Sequence, residues 1–324
     1  MAQPILVTGG AGFIGSHLVE RLAKGGREIV CLDNFDPYYP DVIKRENLRG
    51  ALSTGRVRLV EMDIRDREAL LGVLARERVE AVVHLAARAG VRPSLVDPEL
   101  YFDVNVRGTL NLLTACLKAS IERVVFASSS SVYGLIEGIA GEESTPCRPL
   151  SPYGASKVAA EALCSAYAGV NGLSVAALRL FTVYGPRQRP DMAINRFTSL
   201  ISCGEEVPIY GNGHSLRDYT FITDVLDGII AALEAPLRGY HVFNVGRGKP
   251  VPLLEIVTLI EHALGKQARL RFLSEQPGES PATCADIGKA RSVLGYQPIV
   301  SVAEGVSGYV RWFGETGGAP LSVC

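Results

Sequence analysis

The stretch Thr8-Gly9-Gly10-Ala11-Gly12-Phe13-Ile14-Gly15 constrains this chain more than any other. It follows an apolar run, Pro4-Ile-Leu-Val-Thr8, and opens a segment with helical periodicity. Glycines at 9, 12 and 15 permit a tight turn, close approach of a ligand's phosphates to the backbone, and close contact between helix and strand. The helix that begins at Phe13, Ile14 and Gly15 presents unpaired N–H donors and the positive end of its dipole. A glycine triplet alone is often only a turn. Set between strand and helix at the head of an alternating pattern, it predicts a dinucleotide-binding unit.

That alternation runs through the first half. Short runs rich in Val, Ile and Leu at 4–8, 28–33, 57–62, 80–86, 122–128 and 174–180 predict strands covered on both faces. Helical patterns separate them at about 12–22, 66–77, 98–118 and 152–168. Strand–helix repetition predicts an α/β fold with a Rossmann-type, doubly wound parallel sheet. Beyond residue 180 the character changes. Arg187, Gln188, Arg189 and Pro190 follow a Tyr-Gly-Pro turn, and Gly211-Asn212-Gly213 marks another. A strand is expected at 217–222, a helix at 223–235, a strand at 241–245, a helix at 252–264, and one short helix in the tail from 286. The expected division is a dinucleotide domain over 1–180 plus about 216–250, with a smaller C-terminal substrate-binding domain made of 181–215 and 251–324.

Composition narrows the partners. The chain has 324 residues, enough for a sizeable core, with 33 basic against 34 acidic side chains and no basic stripe. Nucleic acid and an anionic membrane are therefore not expected as main partners. No apolar run reaches the ~18 residues of a membrane helix, and a core strand begins almost at once, so a cytoplasmic location is expected. Seven cysteines, odd in number and scattered, form no Cys-x-x-Cys pair, and no metal site is expected.

Four further places carry chemistry. Asp33 ends the second strand 18 residues past Gly15, where a carboxylate can accept both adenosine ribose hydroxyls and repel a 2′-phosphate, favouring NAD. The alternative is a strand-end Asp bonding its own turn. Asp63, at the end of strand three, either lies near the adenine or caps the next helix. Ser128 to Ser131 leave the fifth strand at its carboxyl end, where ligands of open parallel sheets sit, or else bond their own backbone. In Ser151-Pro-Tyr-Gly-Ala-Ser-Lys157, Ser151 suits an N-cap and Pro152 the first helical position. Tyr153 and Lys157 then share a helix face. A phenol titrates near about 10, and a nearby ammonium favours its ionised form, so the pair can act as a base.

Taken together, Thr8–Gly15, Asp33-Asn34, His84-Leu-Ala-Ala87, Ser128-Ser-Ser-Ser-Val-Tyr-Gly134 and Tyr153-Gly-Ala-Ser-Lys157 resemble the extended short-chain dehydrogenase/reductase family of nucleotide-sugar epimerases and dehydratases. The likeness runs to about residue 300. Asp33-Asn-Phe-Asp-Pro-Tyr-Tyr39, Ala89-Gly90-Val91-Arg92 and Arg179-Leu-Phe-Thr-Val-Tyr-Gly-Pro-Arg-Gln-Arg-Pro-Asp-Met192 resemble the UDP-glucuronate 4-epimerase subgroup. The resemblance implies NAD as cofactor and a UDP-sugar as substrate. It implies Ser129, Tyr153 and Lys157 as the catalytic set, with Tyr153 and Lys157 also on the cofactor beside Asn34, Ile64, Leu85, Ala86 and Ala87. Arg92, Ser130, Ser131, Thr182, Arg189 and Arg217 fall on the substrate, and the helices at 98–118 and 152–168 on a homodimer interface. Leu110, Leu113 and Leu117 form a stripe on the first of these that suits either the interface or the sheet.

The same resemblance separates related chemistries. Family members acting on UDP-glucose or UDP-galactose usually carry Asn at the position of Thr182. Dehydratases carry an Asp-Glu pair at Ser130 and Ser131, and decarboxylases a Glu at Ser131. Serine at both positions, with Thr182, points to C4 epimerisation of UDP-glucuronate. A UDP-hexose 4-epimerase, a UDP-glucuronate decarboxylase and a non-catalytic NAD-binding sensor are the competing classes. Arg88 departs from the family, where a neutral residue such as Gln is expected.

Overall fold

The computed structural model describes residues 3–135, 141–275, 278 and 280–317. The first half comprises β1 (Ile5–Thr8), α1 (Phe13–Lys24), β2 (Ile29–Asp33), α2 (Asp41–Leu52), β3 (Val57–Glu61), α3 (Arg67–Glu77) and β4 (Ala81–His84). It continues with α4 (Val91–Val96), α5 (Pro98–Phe102), a π-helical turn (Asp103–Arg107), α6 (Gly108–Lys118), β5 (Arg123–Ser129), α7 (Pro152–Asn171) and β6 (Ser174–Leu180). Then come β7 (Thr182–Tyr184), α8 (Ala193–Cys203), β8 (Glu206–Tyr210), β9 (Leu216–Arg217), β10 (Tyr219–Phe221), α9 (Ile222–Glu234) and β11 (Tyr240–Val245). The chain closes with β12 (Val251–Pro252), α10 (Leu253–Leu264), β13 (Arg269–Leu273), α11 (Gly288–Leu294) and α12 (Val302–Glu315).

Seven strands form one sheet in the order β3-β2-β1-β4-β5-β6-β11, and every neighbouring pair is parallel. This is the doubly wound sheet expected from the alternation. The strand order reverses between β1 and β4, so a crevice opens at their carboxyl ends. Strands β1, β2 and β4 are buried along their whole length, which is why their sequences are continuous rather than alternating. One apolar cluster fills the face covered by α1 and α9. Another fills the face covered by α3, α6 and α7. A third joins Ile194 and Phe197 of α8, Ile256 and Ile260 of α10, and Val306 and Tyr309 of α12 around Tyr184 and Tyr219.

Several details differ from the sequence expectation. The helix expected over 98–118 is interrupted by the π-helical turn, whose extra residue per turn points Asn105 inward. Helices α2 and α8 were not anticipated, nor was the parallel pair β8–β13. The strand expected at 217–222 divides at Asp218, whose buried carboxylate accepts from the amides of Arg247, Gly248 and Ala285 at 2.7–3.0 Å. The tail holds two helices, not one. The second starts with a capping box, Ser301 and Glu304, and buries an apolar stripe in the third cluster. Among the described residues no helix is long and apolar enough to cross a membrane. Within the Leu110, Leu113 and Leu117 stripe, Leu113 is buried against the sheet and Leu110 faces outward.

Candidate active site

The crevice at the switch point is a cleft of about 420 Å3. Its floor is backbone. Gly9 sits at a φ of 68°, and a Cβ there would lie 2.7 Å from the amide nitrogen of Ala86. A Cβ on Gly15 would lie 2.1 Å from the Gly9 carbonyl oxygen, so only glycine lets α1 start this close to β1. Gly12 precedes α1 with extended backbone and no side-chain cap. The first-turn N–H groups of the helix are thus left for a ligand. Gly9, Gly12, Phe13, Ile14 and Gly15 all line the cleft, as do Asp33, Asn34, Asp63, Ile64, Leu85 and Ala87. Ala86 does not: its amide donates to the Thr8 hydroxyl at 3.3 Å, and its side chain packs toward the core.

Two carboxylates behave differently from each other. Both Asp33 oxygens accept backbone N–H groups, Oδ2 from Ala11 at 3.0 Å and Oδ1 from Phe35 at 2.8 Å. Asp33 therefore ties the glycine turn to the loop after β2 while facing the cleft. Asp63 is no helix cap. Asp66 caps α3, accepting from Ala69 at 3.0 Å. Asp63 instead accepts from Asn34 at 2.9 Å and is gripped by Arg65 through two nitrogens. Burial opposes its ionisation, but those partners hold the carboxyl below its ordinary range.

Behind the floor, His84 is sealed in the core. Its Nδ1 lies 2.7 Å from the Thr8 hydroxyl and its Nε2 3.1 Å from that of Thr109. Thr109 spends its own proton on the Asn105 carbonyl oxygen, so Nε2 of His84 donates and Nδ1 accepts. Burial and the charge of Lys157 push this imidazole down to about 3, and it stays neutral.

The catalytic set expected from the sequence converges on one edge of the cleft. Ser151 caps α7, accepting from Gly154 at 3.1 Å, with Pro152 in the first turn. Tyr153 and Lys157 then project from the same face into the cleft beside Ser129. Lys157 donates to the Ala127 carbonyl oxygen at 2.8 Å, and burial brings its ammonium down to about 8. The phenol of Tyr153 moves the other way. Burial raises it above its ordinary value, against the opposing pull of the Ser129 hydroxyl and the Arg189 charge. The groups that favour its ionised form are thus Ser129 and Arg189. Ser128 also lines the cleft, and its hydroxyl donates to Glu161 at 2.5 Å. Glu161 in turn forms a buried bidentate pair with Arg179, at 2.8 and 3.0 Å.

A second cleft of about 410 Å3 adjoins the first. Ser130, Ser131 and Thr182 border both. Arg92 and Arg217 line the second cleft. Arg92 lies over the Tyr210 ring at 4.3 Å, and Arg217 donates to the Leu216 carbonyl at 2.9 Å. Arg189 lines the first cleft and is paired through Nε and Nη2 with Asp191, at 2.9 and 2.8 Å. The Tyr38 hydroxyl also donates to Asp191, at 3.1 Å, so the loop after β2 reaches the loop before α8. Arg88, the family departure, pairs with Asp36 and lies 5.0 Å over the Tyr38 ring.

Residues the sequence reading passed over include Lys44, Tyr38 and Asp191. Lys44 reaches the cleft from α2 and donates to the Asp36 carbonyl at 2.8 Å. Nothing in its local pattern marks it, because α2 itself was unanticipated. Tyr38 and Asp191 stand inside quoted passages, but their contact spans two distant loops.

The cleft suits a dinucleotide on its own features. A glycine cradle admits phosphates where a Cβ would intrude. The Tyr39 hydroxyl and the Nε of Arg88, both in cleft-lining residues, are buried without a hydrogen-bond partner among the described residues. Among the same residues no group of His, Cys, Asp and Glu could hold a metal ion.

Comparison with known proteins gives a consistent result. Residues 5–246 match the NAD dependent epimerase/dehydratase family. A UDP-glucuronate 4-epimerase of Thermodesulfobacterium geofontis is 39% identical over 311 residues, covering 96% of each chain. The crystal structure of a UDP-glucuronic acid 4-epimerase from Bacillus cereus, in complex with UDP-glucuronic acid and NAD, superposes with a TM-score of 0.92 at 38% identity. It covers 97% of this chain and 99% of its own. MoeE5, solved with NAD and either UDP-glucose or UDP-glucuronic acid, is 40% identical with TM-scores of 0.88 and 0.87. Its two structures cover the same shares. With a dinucleotide crevice, a Tyr–Lys face and these relatives in agreement, the chain belongs to the NAD dependent epimerase/dehydratase family of enzymes.

Proposed function

We propose that this chain interconverts UDP-glucuronate and UDP-galacturonate by epimerisation at C4, through a 4-keto sugar retained in the site. The observation that carries this reading is the shared border of the two clefts. There uncharged Ser130, Ser131 and Thr182 stand beside the Tyr153–Lys157 face, with the Arg189 guanidinium close enough to act on Tyr153. The relatives solved with UDP-glucuronic acid and NAD support it. On this reading residues 1–180 and about 216–250 hold the dinucleotide, and 181–215 with the remainder hold the nucleotide sugar.

The glycine turn, Asp33 and Lys157 would hold NAD, which when bound would accept and return the C4 hydride. The rest is done by side chains. Tyr153 takes the O4 proton, and Ser129 and Arg189 both favour its ionised form. Because burial raises this phenol, its ionised form takes the O4 proton readily, and returning that proton is the harder half of the exchange. The oxidised sugar is a β-keto acid, which loses CO2 when its C5–C6 bond aligns with the carbonyl π system. Hydroxyls of Thr182, Ser130 and Ser131 and the Arg189 guanidinium can hold the carboxylate out of that alignment, since charge-assisted hydrogen bonds are short and directional. A Glu at position 131 would repel the carboxylate instead.

An NMR time course with UDP-glucuronate tests the reading. The galacto epimer should accumulate without gas. Release of CO2 with a UDP-pentose would identify a decarboxylase. Turnover of UDP-glucose alone would favour the hexose epimerase, a reading supported by the UDP-glucose complex of MoeE5. NAD binding with no turnover would leave a sensor. The chain is further read as a cytoplasmic homodimer joined through the helices over 98–118 and α7. Supporting residues are Phe102 of α5 (43% exposed), Leu110 of α6 (38%) and Val170 of α7 (84%). Sedimentation velocity that gives only a 34.7 kDa species would refute the dimer.

A further inference from the structure

We infer that Asp191 sets the charge preference of the sugar pocket by neutralising Arg189, an inference that rests on the UDP-sugar reading above. Arg189 lines the cleft beside the reacting edge, and its side chain is 19% exposed. It does not meet the pocket as a bare charge. Nε and Nη2 are both given to Asp191, which lines the substrate cleft with its side chain 41% exposed. The Tyr38 hydroxyl holds the same carboxylate, and Tyr38 lies under the Arg88–Asp36 pair. The ion pair is thus braced from a second loop. Arg92, Arg196 and Arg217 are further cations on the substrate cleft.

An entering uronate therefore meets a pair with no net charge. Asp191 offsets the attraction of Arg189 through like-charge repulsion while leaving Nη1 outside the pair. Such moderation has a physical use. The 4-keto sugar must turn within the site between two hydride transfers, and a carboxylate locked onto an uncompensated guanidinium would resist turning. Binding energy that is equal in all states does not accelerate the chemistry. Asp191 is accordingly a specificity-determining residue, and it takes no part in the proton transfer.

The test uses NAD-loaded protein and calorimetric titration with UDP-glucuronate and with UDP-glucose. Asp191→Asn keeps the shape and removes the charge. The preference for UDP-glucuronate over UDP-glucose, read as the ratio of their Kd values, should rise at least fivefold and shrink again in high salt. Asp191→Glu should return it to within twofold of the parent. An unchanged ratio overturns the inference. So does a falling ratio, since Asp191 would then be aiming Arg189 at the uronate. If Asp191→Asn fails to fold, Asp191→Ser carries the same prediction. A parent protein that binds both sugars with a ratio unmoved by these variants sinks this inference alone. One that binds neither sinks the UDP-sugar reading with it.

Discussion

The two walls of the active site are built on opposite plans. The dinucleotide wall is mostly backbone: a glycine turn, the uncapped start of α1, and the carboxyl ends of β1, β2 and β4. Its main carboxylate, Asp33, is spent on tying two backbone segments together. The sugar wall is mostly side chains. Arg189, Asp191 and Tyr38 come from two loops far apart in sequence and are set against one another by hydrogen bonds, while Thr182 and the serines line the same wall. A backbone site accepts a constant ligand and tolerates little change beneath it. A side-chain site can be retuned by one residue without disturbing the sheet. The chemistry of this chain is therefore open to change on the sugar wall and fixed on the dinucleotide wall.

The edge where the walls meet should be the most sensitive. Tyr153→Phe should lower turnover by about 10^3-fold or more, within the range for loss of a general acid–base, while UDP-sugar affinity stays within a few fold. The pH profile follows from the same group. The phenol must be ionised to accept the O4 proton, and burial raises its pKa, so kcat/KM should climb as pH rises through the neutral range. A flat profile from pH 6 to 8 would show that Tyr153 is not the titrating base.

Next is the support beneath that edge. Glu161 and Arg179 are 7% and 6% exposed and anchor Ser128 directly behind the catalytic strand. Glu161→Ala strands a buried guanidinium and should destabilise the fold by about 3–5 kcal/mol, seen as a lower urea midpoint. Replacing both partners with apolar residues should recover most of that loss.

How much of this was legible in the sequence divides along the same line. The strand–helix alternation, the glycine turn and the Ser151 cap could be read because each is a local signal: periodicity, backbone freedom, one side chain bonding three residues on. The convergence of Ser129, Tyr153 and Lys157 followed from consecutive elements. The Arg189–Asp191–Tyr38 cluster could not be read, because it depends on how a loop near residue 38 meets one near residue 190. Lys44 was missed along with α2, and Asp63 was left open between two readings until Asp66 proved to be the cap. The raised Tyr153 phenol was missed for a different reason. Spacing placed an ammonium one turn away, but burial raises the phenol against the pull of Ser129 and Arg189, and burial is not a local property.

Lys157 tests whether the edge is strained for function. Its ammonium is depressed to about 8 by burial, against an ordinary value near about 10.4 in the unfolded chain. Below pH ~8 both states are protonated, and the folded state bears the full cost of a buried charge, on the order of 3 kcal/mol. Between about 8 and about 10.4 the unfolded chain binds more protons, so stability contributed by this group rises with pH. Lys157→Met should therefore raise the urea midpoint of NAD-free protein at pH 7 while removing activity. A lower midpoint would mean that the bond to the Ala127 carbonyl outweighs the desolvation.

The smallest effect expected lies wholly on the sugar wall. Thr182 is held by its backbone, donating to the Asp218 carbonyl at 3.0 Å in a short parallel pairing with Tyr219, so removing its side chain leaves the scaffold in place. Thr182→Ala should cost about tenfold in turnover of UDP-glucuronate, the size of one hydrogen bond of about 1.4 kcal/mol to a charged group. The more telling readout is the product. If the hydroxyl helps keep the β-keto acid out of alignment, the variant should release measurable CO2 where the parent releases none, and the Ser130 and Ser131 hydroxyls should limit the leak. A slower enzyme with an unchanged product would place the restraint elsewhere, with Arg189 the next residue to remove. It would also weaken the case that the sugar wall controls outcome as well as affinity.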